Sequence, residues 1–134
     1  VGGLDRVAVL DAYAVGGSVA VRLAHPAADR AADLLEARHE EIDGDHYEYL
    51  APAAEALSER HPLAATLVLR AMIDFTLTRS RAKRYRYAAE HLVACARLAR
   101  DIPDFGTFET HDAYVARLKE EHGRKFGFWS LTAA

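Results

Sequence analysis

The chain has 134 residues, about the size of one globular domain and enough to bury a core without disulfides or a structural metal. Hydrophobic residues make up 51% and charged residues 28% of the sequence, and 27 alanines stand against 8 glycines and 4 prolines. This composition excludes collagen-like, disordered and disulfide-scaffold proteins and favours helices. The net charge of -3 gives no overall attraction toward nucleic acid.

The N-terminal part of the chain is predicted to be helical, because apolar residues recur every three or four positions and no run alternates with period two. A first helix is predicted over Leu4–Ala14, ending at Gly16-Gly17, and a short apolar segment follows over Val19–Ala24. The next helix is predicted over Pro26–Ala37, since proline is tolerated in the first helical turn.

The middle of the chain contains the most apolar helix. Asp43-Gly44-Asp45 predicts a turn, and Asp45 with Glu48 matches a capping box, so a helix is expected to start there. It should end before Pro62, which starts the next helix. That next helix is predicted to be the central, most buried one, because only one narrow stripe of it is polar: Thr66, Arg70, Asp74 and Thr78.

The C-terminal part predicts two further helices and an aromatic tail. The first runs from about Arg84 to Arg100, with these residues facing inward: Tyr85, Ala88, Leu92, Cys95 and Ala99. Thr110 is predicted to cap the second helix, and Gly123 to end it in a left-handed conformation. The tail is predicted to close the open end of the helical stack with Phe126, Phe128, Trp129 and Leu131.

These elements predict an all-α fold of antiparallel helix pairs stacked as an α-α superhelix, with residues 1–134 forming a single helical domain. The dipeptide at His25-Pro26 recurs at His61-Pro62, which fits a helix-pair repeat. Because the chain begins with Val1 and its only methionine is Met72, we expect it to be the C-terminal segment of a longer protein.

A family resemblance extends from Asp43 to Trp129. It is carried by the blocks DGDHYEYLAPAAEAL, RHPLAATLVLRAMIDFTL, KRYRYAAEHL, HLVACARLAR and HDAYVARLKEEHGRKFGFW. In these blocks the sequence resembles an uncharacterised bacterial family, a domain of unknown function found at the C-terminal end of longer proteins, with helical repeats similar to the tetratricopeptide type. The resemblance implies an α-α superhelix and no known activity, substrate or catalytic residue.

Charge is unevenly distributed along the chain, because residues 1–67 carry a net charge of -7 and residues 68–134 a net charge of +4. Five cations fall within eight positions, next to two tyrosines: Arg79, Arg81, Lys83, Arg84 and Arg86. Cations neutralise phosphates and aromatic rings stack on bases, so this segment is a candidate anion or nucleic-acid site. The alternative is a solvated turn whose cations lie near the negative end of the central helix.

Arg70 and Asp74 are the other candidate binding residues, because charges on a mostly apolar helix must be paired or must reach a cleft. A concave groove beside them would bind a ligand. The alternative is that the two side chains pair with each other and with groups of a neighbouring helix.

The sequence predicts no catalytic residues, no metal site and no cofactor. His91 and Cys95 are four residues apart, but no CxxC or HExxH motif accompanies them. The serines lack a nucleophile elbow, and the glycine pairs match neither a dinucleotide-binding nor a phosphate-binding loop.

The favoured function is therefore a non-catalytic helical-repeat module that binds a protein or peptide partner, with nucleic acid as the less favoured partner. A further alternative is an accessory domain of an enzyme whose active site lies upstream of Val1. The single Cys95 favours the cytoplasm. Leu63–Leu77, the most apolar window, is too short and too charged to cross a membrane.

Overall fold

The computed structural model describes residues 26–132, and all regular structure in that range is helical. Six α-helices follow one another: α1 (Pro26–Ala37), α2 (Tyr47–Leu57), α3 (Pro62–Thr78), α4 (Tyr85–Ala99), α5 (His111–His122) and α6 (Phe126–Thr132). Two single 3-10 turns, His39–Glu41 and Ala82–Arg84, precede α2 and α4. The all-α prediction is confirmed for these residues, whereas the segments predicted over Leu4–Ala14 and Val19–Ala24 lie outside them.

Helix α3 is the centre of the fold, as predicted, and it packs against α1, α2 and α4. Pro62 occupies its first turn, and its buried side chains are distributed around the helix rather than along one face. Of the predicted polar stripe, Thr66 and Arg70 are buried, Asp74 is half-buried and Thr78 is exposed. The stripe therefore leaves the core gradually toward the C-terminal end of α3.

Small side chains line the contacts between α2, α3 and α4. Ala53, Ala64, Ala65 and Ala88 are almost completely buried, and such short side chains let helix axes approach closely. The turn before α2 approaches α3 even more closely at Gly44, where an added Cβ atom would lie 2.0 Å from the Ala71 carbonyl oxygen. Glycine is required at this position because no side chain fits against the α3 backbone.

The predicted capping box at the start of α2 is wrong. His46 is the N-cap residue and its side chain makes no capping hydrogen bond. The Asp45 carboxylate instead accepts a hydrogen bond from Arg84 Nη1 at 2.9 Å, and the Asp45 backbone N–H donates to Asp43 Oδ1 at 3.0 Å. A cation from a distant part of the chain has displaced the local cap.

The sequence also predicted how α5 begins and ends. Thr110 caps α5 as predicted, because its Oγ1 accepts a hydrogen bond from the Ala113 N–H at 3.2 Å. The left-handed end predicted at Gly123 is wrong, since Gly123 has a φ of -60° and the chain continues directly into α6. Among the described residues, left-handed conformations occur instead at Ser80 after α3, with a φ of 51°, and at Gly106, with a φ of 61°.

The aromatic tail forms helix α6, and only part of it covers the core. Phe128 is completely buried and Trp129 is half-buried, with Trp129 Nε1 donating to the His122 carbonyl oxygen at 2.9 Å. Phe126 is 75% exposed and Leu131 is 48% exposed. The predicted closing role thus holds for two of the four residues. Within the described range, no helix combines the length and hydropathy that crossing a bilayer requires.

Candidate functional site

The two predicted residues of the central helix, Arg70 and Asp74, line one cavity of about 300 Å³. We call it the Arg70 cavity. It lies between α3, the loop before α5, and α5 itself, and its other lining residues are His39, Leu67, Ala71, Thr107, Phe108, Glu109, Tyr114 and Arg117. Arg70 and Asp74 thus lie beside one cavity, and aromatic as well as charged side chains form its wall.

Arg70 has an unusual environment for a cation, because its side chain is buried without a hydrogen-bond acceptor. Only 6% of the residue is exposed, and Nε and Nη2 are enclosed with no hydrogen-bond partner in residues 26–132. Its guanidinium carbon lies 4.5 Å from the centroid of the Tyr114 ring and 5.7 Å from that of Phe105. Cation–π contact offsets part of the cost of desolvation. Burial lowers the pKa of Arg70 from its ordinary value.

Asp74 does not pair with Arg70, although the two side chains are one helical turn apart. Its Oδ1 accepts a hydrogen bond from Tyr114 Oη at 2.8 Å, and Arg117 Nη2 lies 3.9 Å from its Oδ2. Burial raises the pKa of Asp74, while the Tyr114 hydrogen bond acts in the opposite direction. The alternative in which Arg70 and Asp74 neutralise each other is not what the structure contains.

Arg117 joins the acidic groups at the rim of the Arg70 cavity. Its Nε donates to Glu109 Oε2 at 2.9 Å, and its Nη1 donates to Glu121 Oε1 at 3.1 Å. The hydrogen bonds from Arg117 are the largest reason that its own pKa is raised. Glu109 is consequently committed to Arg117 and does not reach Arg70.

The predicted cationic segment, which we call the basic turn (Arg79–Arg86), gathers its arginines around aromatic rings. The guanidinium carbons of Arg79, Arg81 and Arg84 lie 5.3, 5.8 and 5.8 Å from the centroid of Phe75. Arg84 also lies 4.8 Å from the Tyr47 ring and forms the ion pair with Asp45. The structure thus brings three of the five predicted cations onto one ring.

The other two cations of the basic turn are arranged differently. Arg86 contacts Tyr87, with 5.2 Å between its guanidinium carbon and the ring centroid, and Lys83 is exposed in the 3-10 turn. Arg79, Arg81, Lys83 and Arg86 are all exposed, whereas Arg84 is half-buried. The exposed cations form a positive surface at the C-terminal end of α3.

The sequence did not predict a second cavity, a groove of about 750 Å³. We call it the α4–α5–α6 groove; it is lined by Leu92, Val93, Ala96, His111, Val115, Lys119, Gly123, Phe126, Trp129 and Thr132. One feature of the sequence could have indicated it: Val93 and Ala96 are apolar but are not among the residues of α4 that were predicted to face inward. Two apolar residues outside the core stripe indicate a second contact face.

Cys95 and the possible metal ligands are the remaining candidates. Cys95 is completely buried, and burial raises the pKa of its thiol to about 12. A thiol with so high a pKa stays protonated at neutral pH and is a poor nucleophile. Nowhere in the described part of the chain do three His, Cys, Asp or Glu side chains converge on a point where an ion could bind.

Comparison with known proteins identifies the family of the chain. Neither the curated proteins nor the solved structures contain a significant match. Residues 8–131 match a family of unknown function, DUF6880, and this match covers all six helices up to Leu131. The chain therefore belongs to the DUF6880 family.

Proposed function

We propose that this chain is a non-catalytic protein-interaction module that binds an amphipathic helix with an acidic polar face in the α4–α5–α6 groove. The observation that carries the proposal is Phe126, which lines this groove with 75% of its surface exposed. A large apolar side chain at the edge of an apolar groove is typical of a helix-binding surface.

The apolar surface of the groove would supply the binding energy. Leu92, Val115 and Trp129 line it together with Phe126, and Val93 on its α4 wall is 44% exposed. Covering an exposed phenylalanine is worth about 1.5–3 kcal/mol, so a partner that covered Phe126 and Val93 would gain affinity from these two side chains alone.

The charges around the groove favour an acidic partner. Lys119 lies in the groove with its Nζ 5.7 Å from the Trp129 ring centroid. Arg86 and Arg97 line the adjoining cavity beside Val93 and Leu131, where Glu90 is the one carboxylate of the lining. Cations at the rim of an apolar groove increase the association rate of an acidic helix and disfavour a basic one.

The wider setting that we propose is a stack of antiparallel helix pairs of the tetratricopeptide-like type, in a bacterial cytoplasmic protein. Short connections support the antiparallel arrangement, because residues 58–61 join α2 to α3 and residues 79–84 join α3 to α4. The free, buried thiol of Cys95 supports a reducing compartment. The sequence resemblance supports a bacterial origin.

The test uses two synthetic amphipathic peptides of 16 residues that share one leucine face and carry either glutamates or lysines on the other. Trp129 is the only tryptophan of the chain and lines the groove, so its emission reports binding. We expect saturable changes with the glutamate peptide and an affinity at least about tenfold lower for the lysine peptide.

A matched pair of variants tests whether the glutamate peptide binds in the groove. Phe126→Ser should weaken binding of the glutamate peptide about tenfold or more. Tyr47→Ser is the control, because Tyr47 is 47% exposed but lies at the start of α2 and lines another cavity. Equal affinity for the two peptides, or unchanged binding by Phe126→Ser, would contradict the proposal.

A second candidate function is anion or nucleic-acid binding by the basic turn, favoured by the exposure of Arg79, Arg81, Lys83 and Arg86 beside aromatic rings. Such binding depends on phosphate neutralisation, so an RNA oligonucleotide should dissociate as salt rises from 50 to 200 mM, conditions that cost about 10³-fold when six phosphates are contacted. Binding that survives Arg81→Glu with Lys83→Glu would exclude this function.

A further inference from the structure

The Arg70 cavity contains a cation whose guanidinium group forms no ion pair and no hydrogen bond within the described residues. Nε and Nη2 of Arg70 are enclosed and lack acceptors, and Nη1 makes no hydrogen bond within the described residues and is not one of the fully enclosed atoms. A guanidinium group that has lost its water normally gains a carboxylate partner, because the unpaired charge is costly in a buried environment. Arg70 has lost its water without gaining such a partner.

The acidic side chains of the same cavity accept hydrogen bonds from other groups. Asp74 accepts the hydrogen bond of Tyr114, and Glu109 accepts hydrogen bonds from Nε and Nη2 of Arg117. Ring contacts with Tyr114 and Phe105 hold the Arg70 side chain in place. The cation is therefore fixed in position next to a cavity, and Nη1 is the atom of its guanidinium group that a ligand could contact.

We propose that the Arg70 cavity binds a monocarboxylate with an apolar body, whose carboxylate contacts the Arg70 guanidinium group. The contact would be a charge-assisted hydrogen bond from Nη1 to a carboxylate oxygen, because Nε and Nη2 are enclosed. The apolar body is expected because Leu67, Phe108 and Tyr114 line the cavity, and the Phe108 ring is held edge-on against His39 at 4.8 Å. A cavity of about 300 Å³ is at the lower end of the size range of small-molecule sites.

A monoanion fits this cavity better than a phosphate dianion does. Asp74 and Glu109 lie in the same wall as Arg70, and their carboxylates repel a second negative charge. The ligand is consequently a carboxylate rather than a phosphoryl group. It is either a free acid or the C-terminal carboxylate of a peptide, since both present the same chemistry to Arg70.

Calorimetric titration of the folded chain tests the proposal with 3-phenylpropionate as probe. We expect saturable binding of the acid, and an affinity at least about tenfold lower for 3-phenylpropanamide, since the neutral amide loses the charge-assisted hydrogen bond to Arg70. Inorganic phosphate should bind more weakly than the acid. This acid–amide comparison requires no variant, and equal binding of the two probes would overturn the proposal.

The variant Arg70→Met tests whether Arg70 binds the probe. Methionine fills a similar volume without the charge, and replacing a buried charge with an apolar side chain is often neutral or stabilising, so the variant should remain folded. It should lose at least about tenfold in affinity for 3-phenylpropionate, whereas the exposed-arginine control Arg100→Met should bind as the unaltered chain does. Unchanged binding by Arg70→Met would also overturn the proposal.

Two further measurements separate the ligand sources and the two proposed sites. Acetyl-Gly-Gly-Phe with a free carboxylate should bind more tightly than 3-phenylpropionate if the natural ligand is a chain terminus, and no more tightly if it is a free acid. The Arg70 cavity and the α4–α5–α6 groove share no lining residue. Phe126→Ser should therefore leave 3-phenylpropionate binding unchanged, and a loss there would contradict the assignment to Arg70.

Discussion

The two sides of helix α4 differ in how completely they are covered. On the side toward α3, Ala88 and Cys95 are almost completely buried, and the contact is built from small side chains. On the side toward α5 and α6, Val93 and Ala96 are exposed beside a groove. Helices α5 and α6 thus contribute Tyr114, Leu118 and Phe128 to the core, yet they leave a groove along the other side of α4.

The largest expected difference is between two phenylalanines of α6, one on each side of that boundary. Phe128→Ala should lower the free energy of unfolding by about 3–5 kcal/mol, because it leaves a cavity in the core. Phe126→Ala should change it by less than about 0.5 kcal/mol, because its side chain is already exposed. Urea unfolding measures both values. Equal losses of unfolding free energy would show that Phe126 is packed as closely as Phe128.

A second pair of variants compares glycines. Gly44→Ala should destabilise the chain by about 1–3 kcal/mol or more, because its Cβ would collide with the Ala71 carbonyl oxygen and the backbone would have to move. Gly127→Ala is the control on α6, where the added Cβ would meet only the Tyr85 ring at 3.7 Å. That change should be neutral or stabilising by up to about 1 kcal/mol. Similar unfolding midpoints for the two variants would contradict the close packing on the covered side.

The third prediction concerns pH and follows from histidines on both sides of α4. Burial lowers the pKa of His91, His111 and His122 below their ordinary value of 6.5. As pH falls through 6.5 the unfolded chain therefore takes up protons before the folded chain does, and stability is lost. Urea midpoints should fall between pH 7.5 and 6.0, and His91→Gln and His111→Gln should each flatten that fall.

One variant distinguishes the two sides in this pH experiment. The positive charge of Arg70 is the second cause of the lowered pKa of His111, and it is not a cause for His91. Arg70→Met should consequently reduce the contribution of His111 to the pH dependence of stability. The contribution of His91 should stay unchanged. An equal effect on both histidines would contradict the position of Arg70.

The smallest effect is expected at Ser80, where α3 meets the start of α6. Ser80→Gly should stabilise the chain by about 0.4–1 kcal/mol, because glycine adopts a φ of 51° without strain. It also removes the 3.1 Å hydrogen bond from Lys125 Nζ to Ser80 Oγ. Ser80→Ala removes that bond without relieving the strain, so it should be less stable than Ser80→Gly. The reverse order would contradict strain at this position, because both variants lack the hydrogen bond to Lys125 and differ in how easily they adopt the positive φ.

The sequence predicted those features that depend on neighbouring residues. Pro62 starts α3, Thr110 caps α5 and Cys95 is buried, because helix periodicity and helix ends are set within a few positions of the chain. It failed where a distant side chain competes. Arg84 takes the carboxylate of Asp45, and Tyr114 takes that of Asp74, so neither the predicted cap nor an Arg70–Asp74 pair forms.

The candidate sites could be predicted only in part for the same reason. The residues Arg70 and Asp74 follow from polar positions on an apolar helix, but the lack of an acceptor for Arg70 depends on Tyr114, 44 residues away. The α4–α5–α6 groove depends on how α6 packs against α4, and no local pattern encodes that distance. Sequence spacing thus indicates which residues matter, and tertiary packing determines what they contact.

The most direct test of the open side of α4 is a nuclear magnetic resonance titration of the isotope-labelled chain with the glutamate peptide. We expect amide shift changes concentrated at Val93, Ala96, Val115, Lys119 and Phe126, with none at Gly44 or Tyr47, which line a different cavity. Changes centred on Gly44 and Tyr47, or no changes at a saturating concentration of peptide, would contradict it.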